Sequence, residues 1–257
     1  MDLRRIVTRV SQGVIVVECA WVFFVLLGGD PRYPAGVDYR VVVDGASRWL
    51  HGAAPYLPYQ LRGPYSLTGH PVTAGPMLYP PVAMWLFAPF AYLPAVLWWA
   101  LPAGAVAWSF WRLRPSWWAW PLIAVLWIYP RAPEAVQNGN PVIWAFAAAM
   151  LGAASRWPAA LVLMKPTLAP FALFGVRDRR WWVVLGLGIA AALPFGSLWM
   201  DYVRAVSNVQ AGTSYLLHDW PLLTISVVAW AGRRDATIPL PVRFRRRAEM
   251  APATPTG

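Results

Sequence analysis

The chain has one lysine, one cysteine and three histidines in 257 residues, and only 13% of its residues are charged. The lone Cys19 excludes an intrachain disulfide framework and a cysteine zinc site. His51, His70 and His218 are too scattered to form a metal motif, so neither a metal nor a redox cofactor is expected. Soluble domains carry about 25% charged residues. The shortage here is concentrated in long stretches, with no charge across 63–111, 115–130, 135–155, 181–200 and 220–232.

What fills those stretches is apolar. The chain is 58% hydrophobic, its mean hydropathy is +0.44, and it holds 18 Trp and 26 Pro. Apolar runs of this kind indicate a polytopic membrane protein. Abundant Trp suits membrane–water interfaces, and abundant Pro is tolerated in membrane helices. A net charge of +11 raises the question of nucleic acid. The basic residues instead cluster at the ends of apolar segments: Arg4, Arg5 and Arg9; Arg112 and Arg114; Arg177, Arg179 and Arg180; Arg233 and Arg234; and Arg243 to Arg247. That is the pattern of topology signals and membrane-lipid contacts, so no nucleic-acid partner is expected.

The first span is expected over 10–27 as an uncleaved signal-anchor helix. Arginines at both ends place the N- and C-termini in the cytoplasm of an inner (plasma) membrane protein, with the loop 28–77 outside. Further apolar segments fall at 78–92, 95–111, 117–130, 141–155, 157–174, 181–199 and 219–232. Counting each as a span gives eight crossings and leaves Arg112, Arg114 and Arg156 outside. Keeping those arginines inside gives six, with a short re-entrant helix in 78–111 and a re-entrant hairpin in 157–174 broken at Lys165-Pro166. The expected fold is an all-α transmembrane bundle over 1–235, followed by a disordered basic, Pro-rich tail over 236–257.

In the outer loop, Val42, Ala46, Trp49 and Leu50 recur at helical spacing from Asp38 to His51. They predict an amphipathic helix able to lie on the membrane, ended by Gly52. Asp38 at its start suits an N-cap, or a general base taking a proton from a hydroxyl. Lys165 lies within an apolar segment and suits phosphate binding as a point charge, or snorkelling to the interface. Glu18 lies midway along the first span. Lys165 is a conceivable partner for it, and a buried interhelical hydrogen bond is the plainer reading. Gln137 and Asn140 suit sugar or phosphate binding, or a helix entry with Asn140 as N-cap. His218-Asp219 suits proton transfer, or a cap at Asp219. Asp30, ahead of Pro31, suits a turn, and Asp44 a solvated position. Tyr56 and Tyr79 suit stacking on sugars, or interfacial anchoring.

Taken in order, several of these residues carry a resemblance. Asp38-Tyr39, Val42, Ala46, Leu50-His51-Gly52 and Pro55-Tyr56, then Tyr79-Pro80-Pro81, Pro89 and Leu93-Pro94, resemble the start of glycosyltransferase family 87, also called domain of unknown function 2029. Gln137-Asn138-Gly139-Asn140 is similar to that family's Gly-Gln-x-Asn signature. Lys165-Pro166-Thr167 is similar to its intramembrane Lys followed by Pro, and Arg179-Arg180-Trp181-Trp182 to its basic–Trp turn. The resemblance covers roughly residues 10–200. It implies a GT-C membrane glycosyltransferase, similar to polyprenyl-phosphate-mannose-dependent mannosyltransferases. Such an enzyme passes a sugar, with inversion, from a polyprenyl-phosphate donor to a lipid, glycolipid or polysaccharide acceptor on the outer face. It implies Asp38 as the base. Family members usually run on with more helices, so a short or truncated member is expected. The alternative is a non-catalytic GT-C-derived protein that binds lipid or a partner subunit.

Overall fold

The computed structural model describes residues 2–28, 35–67, 75–210 and 217–234. Asp30, His70 and the tail over 236–257 lie outside them. The described residues are helical, with no strand among them and only isolated bridges at Tyr65–Val209 and Pro115–Arg233.

Helix α1 spans Leu3–Leu26, and the Asp2 carboxylate caps it by accepting from the Arg4 N–H at 3.1 Å. At a 1.5 Å rise its 24 residues extend about 36 Å, enough for a ~30 Å hydrocarbon core. Val10, Val16, Val17 and Phe23 are exposed, so α1 turns an apolar face outward while packing on α6 (Ala119–Ile128) and α7 (Arg131–Asn138). Among the described residues it alone is long and apolar enough to cross a membrane unaided. The number rises to three if each of two bent pairs counts as one span.

The first bent pair is the run Pro81–Ala91, containing α4 (Met84–Phe87), followed by α5 (Val96–Leu113) after a 116° turn. Pro89 and Pro94 remove amide donors around that corner. The second is α9 (Arg179–Ala192), extended by a 3-10 turn to Phe195, followed by α10 (Leu198–Asn208) after a 94° turn. The apolar stretch 157–174 is not one helix. It is two 3-10 helices, Trp157–Met164 and Pro166–Gly175, meeting at an extended Lys165 (φ −122°, ψ 92°). A residue before proline is sterically pushed out of the helical region, which places the break at Lys165.

The core is built around α8 (Val142–Ser155). It is packed by α5, both 3-10 helices and α11 (Trp220–Ala231). Ala145, Ala147, Ala148, Ala149 and Ala153 are buried along it. Small side chains let neighbouring backbones approach closely. At Gly152 the limit is reached: an added Cβ would lie 2.5 Å from the Ala159 Cβ.

Helix α2 (Val37–Leu50) has the expected amphipathic face, with Val42 and Ala46 buried. That face docks on the Pro81–Ala91 run rather than lying free on a membrane surface. Trp49 packs 5.4 Å from Trp85 and 5.3 Å from Phe195, ring centre to ring centre. Gly52 follows the helix at φ 78°, the left-handed position expected of it. The loop beyond is pinned by α3 (Pro58–Arg62), whose Gln60 is fully buried. The Gln60 amide donates to the Met77 carbonyl at 2.9 Å and accepts from the Leu57 N–H at 3.0 Å. Asn208 on α10 donates to the Gln60 carbonyl at 2.9 Å. The loop therefore has a polar centre of its own.

Candidate functional site

Asp38 is the second residue of α2 and does not cap it. The N-cap is Gly36, which adopts φ 71° and makes no side-chain cap bond. The Gly36 N–H donates to the Gln137 carbonyl at 2.9 Å, docking the start of α2 on the end of α7. The Asp38 carboxylate is thereby free to face the turn between α7 and α8. There the Asn140 amide donates to Asp38 Oδ2 at 2.6 Å.

That turn is held tightly. Gly139 adopts φ 63°, and an added Cβ would lie 2.7 Å from the Trp99 ring and 2.8 Å from Tyr39. Only glycine meets both conditions. The indoles of Trp98 and Trp99 donate to the Gly139 and Val136 carbonyls at 2.8 and 2.7 Å. Tyr39 packs on both indoles with ring centres 5.4 and 5.3 Å away. Asn140 Oδ1 accepts from the Val142 N–H at 2.9 Å and from the Tyr79 hydroxyl at 3.1 Å. Asn140 is not the N-cap expected of it, since Pro141 holds that position, but its side chain holds the first N–H of α8 and contacts Asp38 at once.

The second half of the cluster is ionic. Lys165 pairs with Asp219, whose other oxygen accepts from Arg131 Nε at 2.7 Å. Arg131 also reaches Glu134 at 3.3 Å. The Lys165 ammonium lies 5.5 Å above the centre of the Tyr79 ring, a cation–π contact that joins the two halves. The proline break delivers Lys165, and the residue before α11 delivers Asp219.

The two aspartates are shifted in opposite directions. Burial raises the Asp38 carboxyl above its ordinary value, and the Asn140 hydrogen bond and the nearby charges only partly offset this. Burial would raise Asp219 as well, but the Lys165 and Arg131 charges outweigh it and hold that carboxyl below its ordinary value. The Arg131 guanidinium, despite burial, is shifted up by Asp219.

Other expected site residues stand elsewhere. Asp219 precedes α11 but makes no side-chain cap bond, because both its oxygens are engaged by cations. His218 is exposed and makes no hydrogen bond among the described residues, so the expected His218–Asp219 pair does not form. Lys165 is paired with Asp219 and not with Glu18, and Glu18 makes no hydrogen bond or ion pair among the described residues. Tyr56 is 1% exposed and donates to the Tyr79 carbonyl at 2.7 Å. It braces Tyr79 from behind and has no face open to a sugar. Gln137 contributes its backbone carbonyl, through the bond to Gly36. Arg131 and Glu134 were not anticipated. Their signal was position: they are the last charges before Gln137-Asn138-Gly139-Asn140, spaced i, i+3 on one helix.

A gap bounded by Tyr79, Phe87, Pro141 and Lys165 has a volume of about 10 Å³, the room of a single water. No group of three or more metal-ligating side chains occurs among the described residues. No family model, no curated protein and no solved structure matches the chain.

Proposed function

We propose that this protein is a polytopic inner-membrane glycosyltransferase of the GT-C type. It transfers a sugar, mannose in the reading the resemblance favours, from a polyprenyl-phosphate to an acceptor hydroxyl outside the membrane. The observation that carries the proposal is Asp38: a half-buried carboxylate that caps nothing, is raised in pKa and faces the cluster of Lys165 and Arg131. A general base works best with a pKa moved toward the operating pH. In this mechanism Asp38 accepts the hydroxyl proton. The acceptor oxygen attacks the anomeric carbon from the face opposite the phosphate. The bond from that carbon to the phosphate oxygen breaks, and polyprenyl phosphate leaves with both electrons. Lys165 and Arg131 stabilise the phosphate charge. Asn140 and Tyr79 orient the base and line the approach.

The alternative is a non-catalytic GT-C-derived membrane protein. What favours it is the engagement of Lys165 by Asp219 beside a gap of only about 10 Å³. The two readings separate in one assay, sugar transfer by the reconstituted protein from a labelled polyprenyl-phosphate-mannose donor. Transfer is expected in the wild type, with a drop of about 10²- to 10⁴-fold in Asp38→Asn. Full transfer by Asp38→Asn removes Asp38 as base, and no transfer by folded wild type from any lipid-phosphate sugar favours the alternative.

A further inference from the structure

A second cavity runs along α11, from Trp220 to Arg233. It occupies about 1030 Å³ between α8, the Pro166–Gly175 helix and α11. Specific small-molecule sites occupy about 300–1,000 Å³, so this volume takes a sizeable ligand. Trp220, Thr224, Val227 and Trp230 line one wall, spaced so that they share one face of α11, while Leu222, Leu223 and Ile225 on the other face are buried in the core. Phe171 and Phe174 line the facing wall. The groove is therefore apolar along the length of a helix.

Its far end is basic. Arg112, Arg156, Arg177 and Arg233 come from four different parts of the chain and border the same cavity. No carboxylate among the described residues pairs with any of them. Asp178, next to Arg177 in sequence, is occupied in capping α9 through the Arg180 N–H at 2.9 Å. Arg233 stacks 4.4 Å over the Trp230 ring and donates to the Trp230 carbonyl at 2.7 Å, which holds it at the mouth. From Asp219 to Arg233 the helical rise is about 20 Å, so this end is well separated from the Asp38 cluster.

A helix-long apolar groove bordered by four guanidinium groups with no carboxylate partner among the described residues matches an amphiphile with an anionic head. We infer that the groove binds one anionic phospholipid, its phosphate on Arg112, Arg156 and Arg177 and an acyl chain along Trp230, Val227 and Thr224. Arginine forks suit phosphate oxygens. The site differs from the one proposed for sugar transfer, and its ligand is held, not consumed.

The test is native mass spectrometry of the full-length protein in detergent, with dioleoylphosphatidylglycerol, dioleoylphosphatidylcholine or inorganic phosphate added separately. Phosphatidylglycerol is expected to be retained about tenfold better than phosphatidylcholine. That preference should vanish in the triple variant Arg112→Gln, Arg156→Gln, Arg177→Gln and survive in Arg4→Gln, Arg5→Gln, Arg9→Gln. Thr224→Trp, which obstructs the groove midway along α11 and keeps every arginine, should also abolish it. Circular dichroism checks each variant, and Arg177→Gln alone replaces any variant whose helix content falls. Equal retention of phosphatidylcholine overturns selection by charge. Unchanged retention in Thr224→Trp overturns the groove and leaves an exposed basic belt. Saturation by inorganic phosphate with no preference for lipid overturns the phospholipid as occupant.

Discussion

Asp38 and Asp219 belong to one cluster and are pushed in opposite directions. Asp219 lies between two cations, is 5% exposed at its side chain, and has its carboxyl held below the ordinary value by the Lys165 and Arg131 charges, which outweigh burial. Asp38 meets a neutral amide, feels burial more strongly than any countercharge, and holds its proton more readily. Two carboxylates with pKa values driven apart mark a division of labour. Asp219 pairs with both Lys165 and Arg131, whereas Asp38 makes no ion pair among the described residues and accepts only from Asn140.

The largest effect that separates them is on stability. Asp219→Ala leaves Lys165 and Arg131 buried without their shared partner and should cost about 3–5 kcal/mol. Asp38→Ala removes one hydrogen bond and should cost about 1 kcal/mol. Thermal unfolding in detergent measures both, and equal losses would erase the distinction. Next in size, Asn140→Ala removes the donor that partly restrains Asp38. The Asp38 midpoint should then rise further while that of Asp219 stays put, as read by carboxyl resonances. A joint shift of both would mean that the halves titrate as one unit.

The smallest effect is in the pH dependence of unfolding. The folded pKa of Asp219 lies below its ordinary 3.8. Its contribution is therefore complete above 3.8 and is lost as pH falls through the folded value. The folded pKa of Asp38 lies above 3.8. The folded state then binds the extra proton, and stability declines as pH rises from 3.8 to the folded value. Asp38→Asn should flatten the slope on the alkaline side of 3.8, and Asp219→Asn the slope on the acid side. Slopes exchanged between the variants would reverse the assignment.

The parts of this arrangement differ in how far they can be read from sequence. Helix α1 is legible because its apolar run is long, and α2 because Val42, Ala46 and Trp49 keep helical spacing. The break at Lys165 is legible because Pro166 forces it locally. The Asp38 and Asp219 side chains are less so. Each stands near a helix start, where a cap is the local expectation, and in each case a distant partner wins. Asn140 is 102 residues from Asp38, and Lys165 is 54 from Asp219. Gln60 shows the same limit, since nothing nearby announces that Met77 and Asn208 will close around it. The groove behind α11 depends on arginines from four separate segments, whose sequence pattern suggests only topology.

The difference between the two aspartates is measured most directly by a carboxyl titration of the full-length protein labelled with ¹³Cγ-aspartate. The two resonances are assigned from Asp38→Asn and Asp219→Asn. The Asp38 midpoint is expected above the ordinary value of 3.8 and the Asp219 midpoint below it. Coincident midpoints, or Asp219 above Asp38, would contradict the division of roles.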